Sequence, residues 1–270
     1  MKLFLIRHAE CQHNVGQALN TGNVGLTPLG REQAKRLARH FRDRPICFNR
    51  VLSSDLSRAT VTAQVICRYQ LRSGPPLEPF QTAKLREQCF GCGSVPVAPE
   101  RIESINSMKM RINGFLRDQV LPLMADRTTS SDAVIGVVAH GMILQVLWSC
   151  LSDIFGSQSF HLAHAASTAD YMHPVWSNTG VMELDIRPGG PPREMVLANA
   201  VHMNVDPPWL MKARPPTPLG GSPPLIGWSV TILAVNSTLH LERNEMCEAR
   251  QCVRHPPMDE FYRLMGLLEM

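Results

Sequence analysis

Two apolar runs in this chain end on a histidine: Lys2 to Ile6 leads through Arg7 to His8, and Ala133 to Ala139 leads directly to His140. Runs of this kind read as buried strands, and in open α/β sheets ligands collect beyond the carboxyl ends of the strands. One histidine at a strand end is commonplace, whereas two at converging ends point to a shared site. A third polar group belongs with them. In Ser53-Ser54-Asp55-Leu56-Ser57-Arg58, a serine cap is expected to open a helix whose first turn aims Arg58 back at the sheet edge. Arginine offers a planar fork of N–H donors, and phosphate is the ligand that fork suits.

The elements that must position these residues follow from periodicity. Lys2 to Ile6, Arg50 to Ser53 and Ala133 to Ala139 are short and apolar, as parallel strands covered on both faces are. Between them apolar residues recur at helical spacing, at Ala34, Leu37, Ala38 and Phe41, then at Leu56, Ala59, Ala63 and Ile66. A third set is Met142, Ile143, Val146, Leu147 and Cys150. A longer helix is expected over Glu100 to Ala125, with Ile102, Ile105, Met108, Ile112, Phe115, Leu116, Val120 and Leu123 inward and a kink at Pro122. Later strands are expected at Val181 to Ile186 and Met195 to Val201. Alternation of strand and helix predicts an α/β fold, three layers deep, with helices on both faces of a mostly parallel central sheet.

Composition excludes several classes of protein. The 270 residues are 44% hydrophobic and 19% charged, which rules out a disordered or collagen-like chain. The net charge of +4 arises wholly within residues 1–206, and no basic run or aromatic-interleaved basic patch occurs, so no nucleic-acid partner is expected. The longest apolar run, Leu225 to Val235, falls short of the ~20 residues of a membrane helix, and no membrane association is expected. Met1 and Lys2 lead straight into the first strand without a secretory apolar stretch, which predicts a cytoplasmic protein. The eight cysteines read as free thiols. A zinc set from Cys89, Cys92, Cys247, Cys252 and His255 is the alternative, but its second half has non-standard spacing, and no metal is expected.

After Asp206 prolines accumulate up to Pro224. A catalytic domain over 1–206 is therefore expected, followed by a Pro-rich extension over 207–270 packed on it. Within the extension, Ile226 to Val235 reads as a strand and Asp259 to Leu268 as a short helix. Asn236-Ser237-Thr238 spells a glycosylation sequon, read as chance in a chain with no secretion signal.

Leu5-Ile6-Arg7-His8-Ala9-Glu10, followed by Asn14, resembles the Arg-His-Gly signature of the histidine phosphatase superfamily, the phosphoglycerate mutase-like group. Further motifs follow in the family's order: Leu26-Thr27-Pro28-Leu29-Gly30 with Gln33-Ala34, and Ser53-Ser54-Asp55-Leu56 with Arg58-Ala59 and Thr62-Ala63. Leu85-Arg86-Glu87 before Gly91 and Val138-Ala139-His140-Gly141 complete them. The resemblance covers roughly residues 2 to 203. It implies a phosphoglycerate mutase-like fold and a phosphatase that needs no metal or cofactor and acts on a small phosphorylated substrate. His8 would attack phosphorus and carry a phosphohistidine that water then hydrolyses. Arg7, Arg58 and His140 would clamp the phosphate, and Asn14 would add a neutral donor. Glu87 would protonate the leaving alkoxide, with its carboxyl raised by partial burial or by the dianion beside it. Gly141, Thr21 and Gly22 would border the pocket.

The chain departs from the family pattern at Ala9, where glycine is usual, and at Cys11, where Ser or Thr is. Ser94-Val95 stand in place of a Glu-Gly pair. Two rival readings follow. A phosphoglycerate mutase needs basic residues near the Glu87 loop to hold a second anionic group, and residues 88–100 contain neither Lys nor Arg. A weak phosphate-binding protein is expected only where a clamp member is missing. Ser157 to Gly180, with His161, His164, Tyr171, His173 and Trp176, reads either as part of the pocket wall or as an ordinary surface loop.

Overall fold

The computed structural model describes residues 1–15, 23–44, 46–71, 74–88, 102–125, 133–166, 170–189 and 227–242. Among these residues seven strands form one sheet: β1 (Lys2–Arg7), β2 (Arg50–Ser54), β3 (Phe80–Thr82), β4 (Val134–Ala139), β5 (Phe160–Leu162), β6 (Val181–Pro188) and β7 (Trp228–Ser237). Their order is β3-β2-β4-β1-β6-β7-β5. The β3-β2-β4-β1 half is parallel throughout, β6 runs antiparallel to both β1 and β7, and β5 is parallel to β7. A mostly parallel α/β sheet is thus what the chain forms.

Helices cover both faces, and the side-chain alternation of β1 shows how. Leu3 and Leu5 join Leu52, Val137 and Ala139 in a core built with α3 (Ile105–Phe115) and α5 (Gly141–Phe155). Phe4 and Ile6 face the other way, toward α1 (Pro28–Asp43) and α2 (Ser57–Arg68), through Leu37, Phe41, Ala59, Ala63 and Ile66. Successive strand residues point to opposite faces, so a strand apolar at every position must be covered twice. At about 1.5–3 kcal/mol for each fully buried large side chain, β1 alone contributes several such increments. Phe4, Phe41 and Phe48 pack edge to face, with centroids 5.1–5.5 Å apart, and lock α1 to the sheet.

The helix expected over Glu100 to Ala125 begins later, at Ile105 behind the Ser104 cap. It widens into a π-helical turn over Leu116–Val120 before α4 (Leu121–Ala125). Pro122 explains the widened turn: it has no N–H to give the carbonyl four residues back, and its ring crowds that carbonyl. The expectation of a serine cap on α2 is not met. Its cap is Leu56, with no side-chain bond, and the Ser57 N–H is taken instead by Asn23 Oδ1. Ser54 ends the strand, and its Oγ accepts from the Leu56 N–H at 3.2 Å, one residue ahead of the helix.

The strand expected near Ile226 to Val235 is β7, which comes from beyond Asp206 and lies between β6 and β5, so residues on both sides of that boundary share one sheet. Asn236 of the sequon bonds Ser177 with both ends of its amide, an internal use. Met195 to Val201, Asp259 to Leu268, and Cys89, Cys92, Cys247, Cys252 and His255 lie outside the described residues. Among those described, no helix is long and apolar enough to cross a membrane.

Candidate active site

Parallel β1, β2 and β4 end side by side, and their carboxyl ends deliver Arg7 and His8, Ser54, and His140 to one place. Arg58 enters from the first turn of α2 and Glu87 from the loop after β3. The rings of His8 and His140 meet edge to face with centroids 5.0 Å apart. All of these except Glu87 are buried: Arg7 is 6% exposed, His8 3%, Arg58 6% and His140 0%. Two arginines so deeply placed demand anionic company, because burying a charge without a partner is costly.

The hydrogen bonds assign proton positions. His8 Nδ1 lies 2.7 Å from its neighbour's carbonyl, Ala9 O, which can only accept. The proton is therefore on Nδ1, and Nε2 carries the ring's lone pair. His140 is arranged the opposite way. Arg58 Nε donates to His140 Nδ1 at 3.1 Å, and a guanidinium never accepts, so His140 keeps its proton on Nε2 and gives it to Ser54 Oγ at 2.9 Å. Burial first, and then the charges of His8, Arg58 and Arg7, push His140 well below its ordinary value. It is a neutral ring at neutral pH.

Burial likewise pulls Arg58 below its ordinary value, opposed by Cys11 and Glu87 nearby. With Nε committed to His140, Arg58 Nη1 is buried and has no protein acceptor among the described residues. A charged N–H donor left in that condition is a place for a ligand oxygen.

Glu87 is held by a helix start. Its Oε1 accepts from Ile143 N at 3.1 Å and from Gln88 N at 3.1 Å, and its Oε2 from Met142 N at 3.2 Å. The first turn of α5, which opens on Gly141, offers N–H groups with no partner inside the helix, and a carboxylate suits that position. A Cβ placed on Gly141 would sit 3.8 Å from Arg7 Nε, so the residue lies against the arginine side chain. Asn14 Oδ1 accepts from Cys11 N at 3.0 Å, from the Cys11 thiol at 3.2 Å and from Asn178 Nδ2 at 3.1 Å. The backbone donor fixes which end of the amide is oxygen and so turns the NH₂ of Asn14 away from Cys11. Thr21 and Gly22 lie outside the described residues.

The Thr27 to Ala34 motif explains itself as support for the turn after His8. Thr27 caps α1 by accepting from Gly30 N at 2.9 Å, and its hydroxyl donates to Glu10 Oε1 at 2.6 Å. Gln33 Oε1 takes the Glu10 N–H at 2.9 Å. A side chain on Gly30 would run into the Glu10 carbonyl, so only glycine lets α1 approach this closely. Thr62 closes the other side. Its hydroxyl donates to Arg58 O at 2.7 Å and accepts from Ala9 N at 3.1 Å, tying α2 to the turn after His8.

Residues missed from the sequence lie in the 176–180 loop. Trp176 O accepts from Arg7 Nη1, and Asn178 Nδ2 donates to His8 O at 3.1 Å. Trp176, expected in a pocket wall or a surface loop, is buried and backs Arg7, while His173 Nδ1 lies 3.5 Å from Asp170 Oδ2. The one available signal was the compact Asn178-Thr179-Gly180 turn just before an apolar strand.

Residues 3–96 match the sequence model of the histidine phosphatase superfamily (branch 1). A broad-specificity phosphatase of Saccharomyces cerevisiae is 35% identical over 92 residues, which span 34% of this chain and 39% of that protein. The mitochondrial serine/threonine-protein phosphatase PGAM5 of Homo sapiens is 36% identical over 87 residues, 28% of this chain and 29% of that protein. The chain thus spans well under half the length of these curated relatives. A solved mycobacterial hydrolase superposes with a TM-score of 0.55 at 19% identity, over 87% of this chain and 98% of its own. An Entamoeba histolytica phosphoserine phosphatase mutant, solved with phosphoserine, gives 0.52 at 19% identity, over 89% and 98%. At such identities the likeness is one of fold. The matched segment carries the His8 turn, the Thr27 motif, Arg58 and Glu87, and the sheet around them has the shared topology. The likeness to the histidine phosphatase superfamily thus lies in residues 3–96, and beyond that segment the chain shares the fold of these solved structures.

Proposed function

We propose that this chain is a phosphomonoesterase that works through phospho-His8 on a small phosphorylated metabolite, with no metal in the reaction. The observation that carries the reading is the pairing of a His8 ring whose lone pair sits on Nε2 with a buried Arg58 Nη1 that has no protein acceptor among the described residues. The first supplies a nucleophile, and the second supplies a donor for an equatorial phosphoryl oxygen. Arg7 adds a second fixed cation. His140 acts through Arg58, whose guanidinium it orients, rather than as a third cation.

In the forward step the Nε2 lone pair forms the N–P bond while the ester P–O bond breaks, and the departing oxygen takes a proton from Glu87. Water then attacks phosphorus, the N–P bond breaks, and Glu87 recovers a proton from that water. Orthophosphate and an alcohol are the products. Both curated relatives are phosphatases by name, which supports hydrolysis over a mutase reaction. The test is a screen of sugar phosphates, phosphoglycerates, nucleotides and prenyl phosphates in EDTA, with an alkaline quench of the enzyme after brief contact with substrate. Turnover in EDTA and an acid-labile phosphate on His8, both abolished in His8→Ala, are expected. Turnover that survives His8→Ala refutes the mechanism.

A further inference from the structure

The 176–180 loop touches the nucleophile turn repeatedly. Besides the bonds from Arg7 Nη1 to Trp176 O and from Asn178 Nδ2 to His8 O, Gly180 O accepts the Arg7 N–H at 3.2 Å and Thr179 N donates to His8 O at 3.3 Å. Asn178 Nδ2 also reaches Asn14 Oδ1 at 3.1 Å. Wherever this loop sits, Arg7, His8 and Asn14 must follow.

The loop does not hold its own shape without help. Thr179 has φ of 57°, a left-handed conformation that a β-branched residue adopts only where its surroundings insist. The insistence comes from β7 and the turn after it. The Thr179 hydroxyl donates to Asn178 O at 2.6 Å, so its oxygen is left to accept, and His240 Nε2 lies 2.8 Å from it as the donor. Asn236 brackets Ser177, accepting from its N–H at 2.8 Å through Oδ1 and donating through Nδ2 to its hydroxyl at 3.0 Å. Asn236 is itself left-handed, with φ of 47°, and any side chain on Gly180 would collide with its Oδ1. Sheet register places these partners together, because Val181 at the start of β6 pairs with Ser237 at the end of β7.

We infer that Asn236 and His240 are positioning residues, which fix the 176–180 loop and through it the alignment of Arg7 and His8. The inference rests on the phosphatase reading for its kinetic consequence, though not for its structural one. Arg58, His140 and Ser54 stand on β2, β4 and α2, outside this support. Loss of the support therefore leaves the Arg58 hold on phosphate in place while His8 loses its line of attack, which lowers kcat more than it changes KM.

The test uses the full chain and three variants. Asn236→Gly removes both bonds to Ser177 and relieves the left-handed strain, so the fold should survive. His240→Leu removes the donor to Thr179, and His240→Gln keeps an N–H in nearly the same place. For each, kcat and KM on p-nitrophenyl phosphate are measured per folded molecule, and the tautomer of His8 is read from its ¹⁵N ring resonances. Asn236→Gly and His240→Leu should lower kcat by up to about 10²-fold, with the Nδ1–H signal of His8 averaging toward a mixture. KM should stay within about threefold, and His240→Gln should recover most of the rate. Should His240→Leu fail to fold, Asn236→Gly decides alone. Unchanged kcat and unchanged His8 resonances in the folded variants overturn the inference, as does a rate loss without any change at His8. A wild type without turnover, whose His8 resonances nonetheless respond to these variants, removes the phosphatase reading and leaves the positioning role standing.

Discussion

Arg58 and His140 are joined by one hydrogen bond of 3.1 Å, from a guanidinium Nε to an imidazole Nδ1. That bond decides where the only proton of the neutral ring goes, and Ser54 receives it. Ser54 is therefore expected to matter to catalysis without touching substrate. In Ser54→Ala, the His140 N–H loses its acceptor and the ring can turn, so Arg58 is no longer held in a single pose. A net loss of about 1–1.5 kcal/mol corresponds to roughly tenfold in kcat/KM, with the fold intact and with recovery in Ser54→Thr. Steady-state kinetics on p-nitrophenyl phosphate check this, and an unchanged kcat/KM sinks the tautomer argument.

Glu87→Gln should separate substrates by leaving group. The amide keeps an oxygen for one of the helix N–H groups at Met142 and Ile143, so α5 should stay in place. It has no acidic proton to give. Turnover of a sugar phosphate should fall by about 10² to 10⁴, and that of p-nitrophenyl phosphate far less, since nitrophenolate departs unprotonated. Equal losses on both substrates would show that Glu87 is not the acid.

Gly30→Ala should destabilise the protein by about 1–3 kcal/mol, since the new methyl meets the Glu10 carbonyl and not a side chain that can move aside. Because Glu10 belongs to the turn after His8, the folded fraction should also turn over more slowly. A melting temperature equal to that of the wild type refutes the close approach of α1 to this turn.

Acid should weaken the fold through its buried histidines. Burial, reinforced by His40 and Arg36, pushes His240 down to about 4 from an ordinary 6.5. Between those values the unfolded chain binds a proton that the folded chain refuses. Stability therefore falls as pH drops through the window, by up to roughly 3 kcal/mol from this group. His140, pushed down chiefly by burial, acts with the same sign. Urea midpoints should decline from pH 7 to pH 4, with a shallower slope in His240→Gln. Identical slopes would exclude His240 as a contributor.

How much of this was legible in the sequence depends on what each residue uses for its contacts. The apolar runs that become β1, β2 and β4 declare themselves because both faces of each are buried, and their ends bring Arg7, His8 and His140 together as expected. Arg58 and Glu87 arrive at the same place by the family's order of motifs. Asn178 and Thr179 offered only a turn signal before β6, because they act on backbone atoms of His8, which no side-chain pattern announces. Asn236 and His240 were harder still. They become neighbours of the site only through the pairing of β6 with β7 across the intervening proline-rich stretch, and the one motif containing Asn236 suggested a different chemistry. The misread cap on α2 has a simpler cause: Ser54 does accept from the Leu56 N–H, but it lies two residues before the cap position, which itself falls to Leu56.

The position of β7 between β6 and β5 has a consequence for how the chain must be made. β6 cannot be closed on its outer side until the polypeptide has been synthesised past Ser237. Until then a nascent chain already able to pair β1, β4 and β6 would present the eight-residue outer edge of β6 unpaired, a template for other strands that only the charges of Glu183, Asp185 and Arg187 and the ring of Pro188 blunt. A chain cut between Pro188 and Trp228 should therefore keep that edge open and self-associate more readily than the full-length protein.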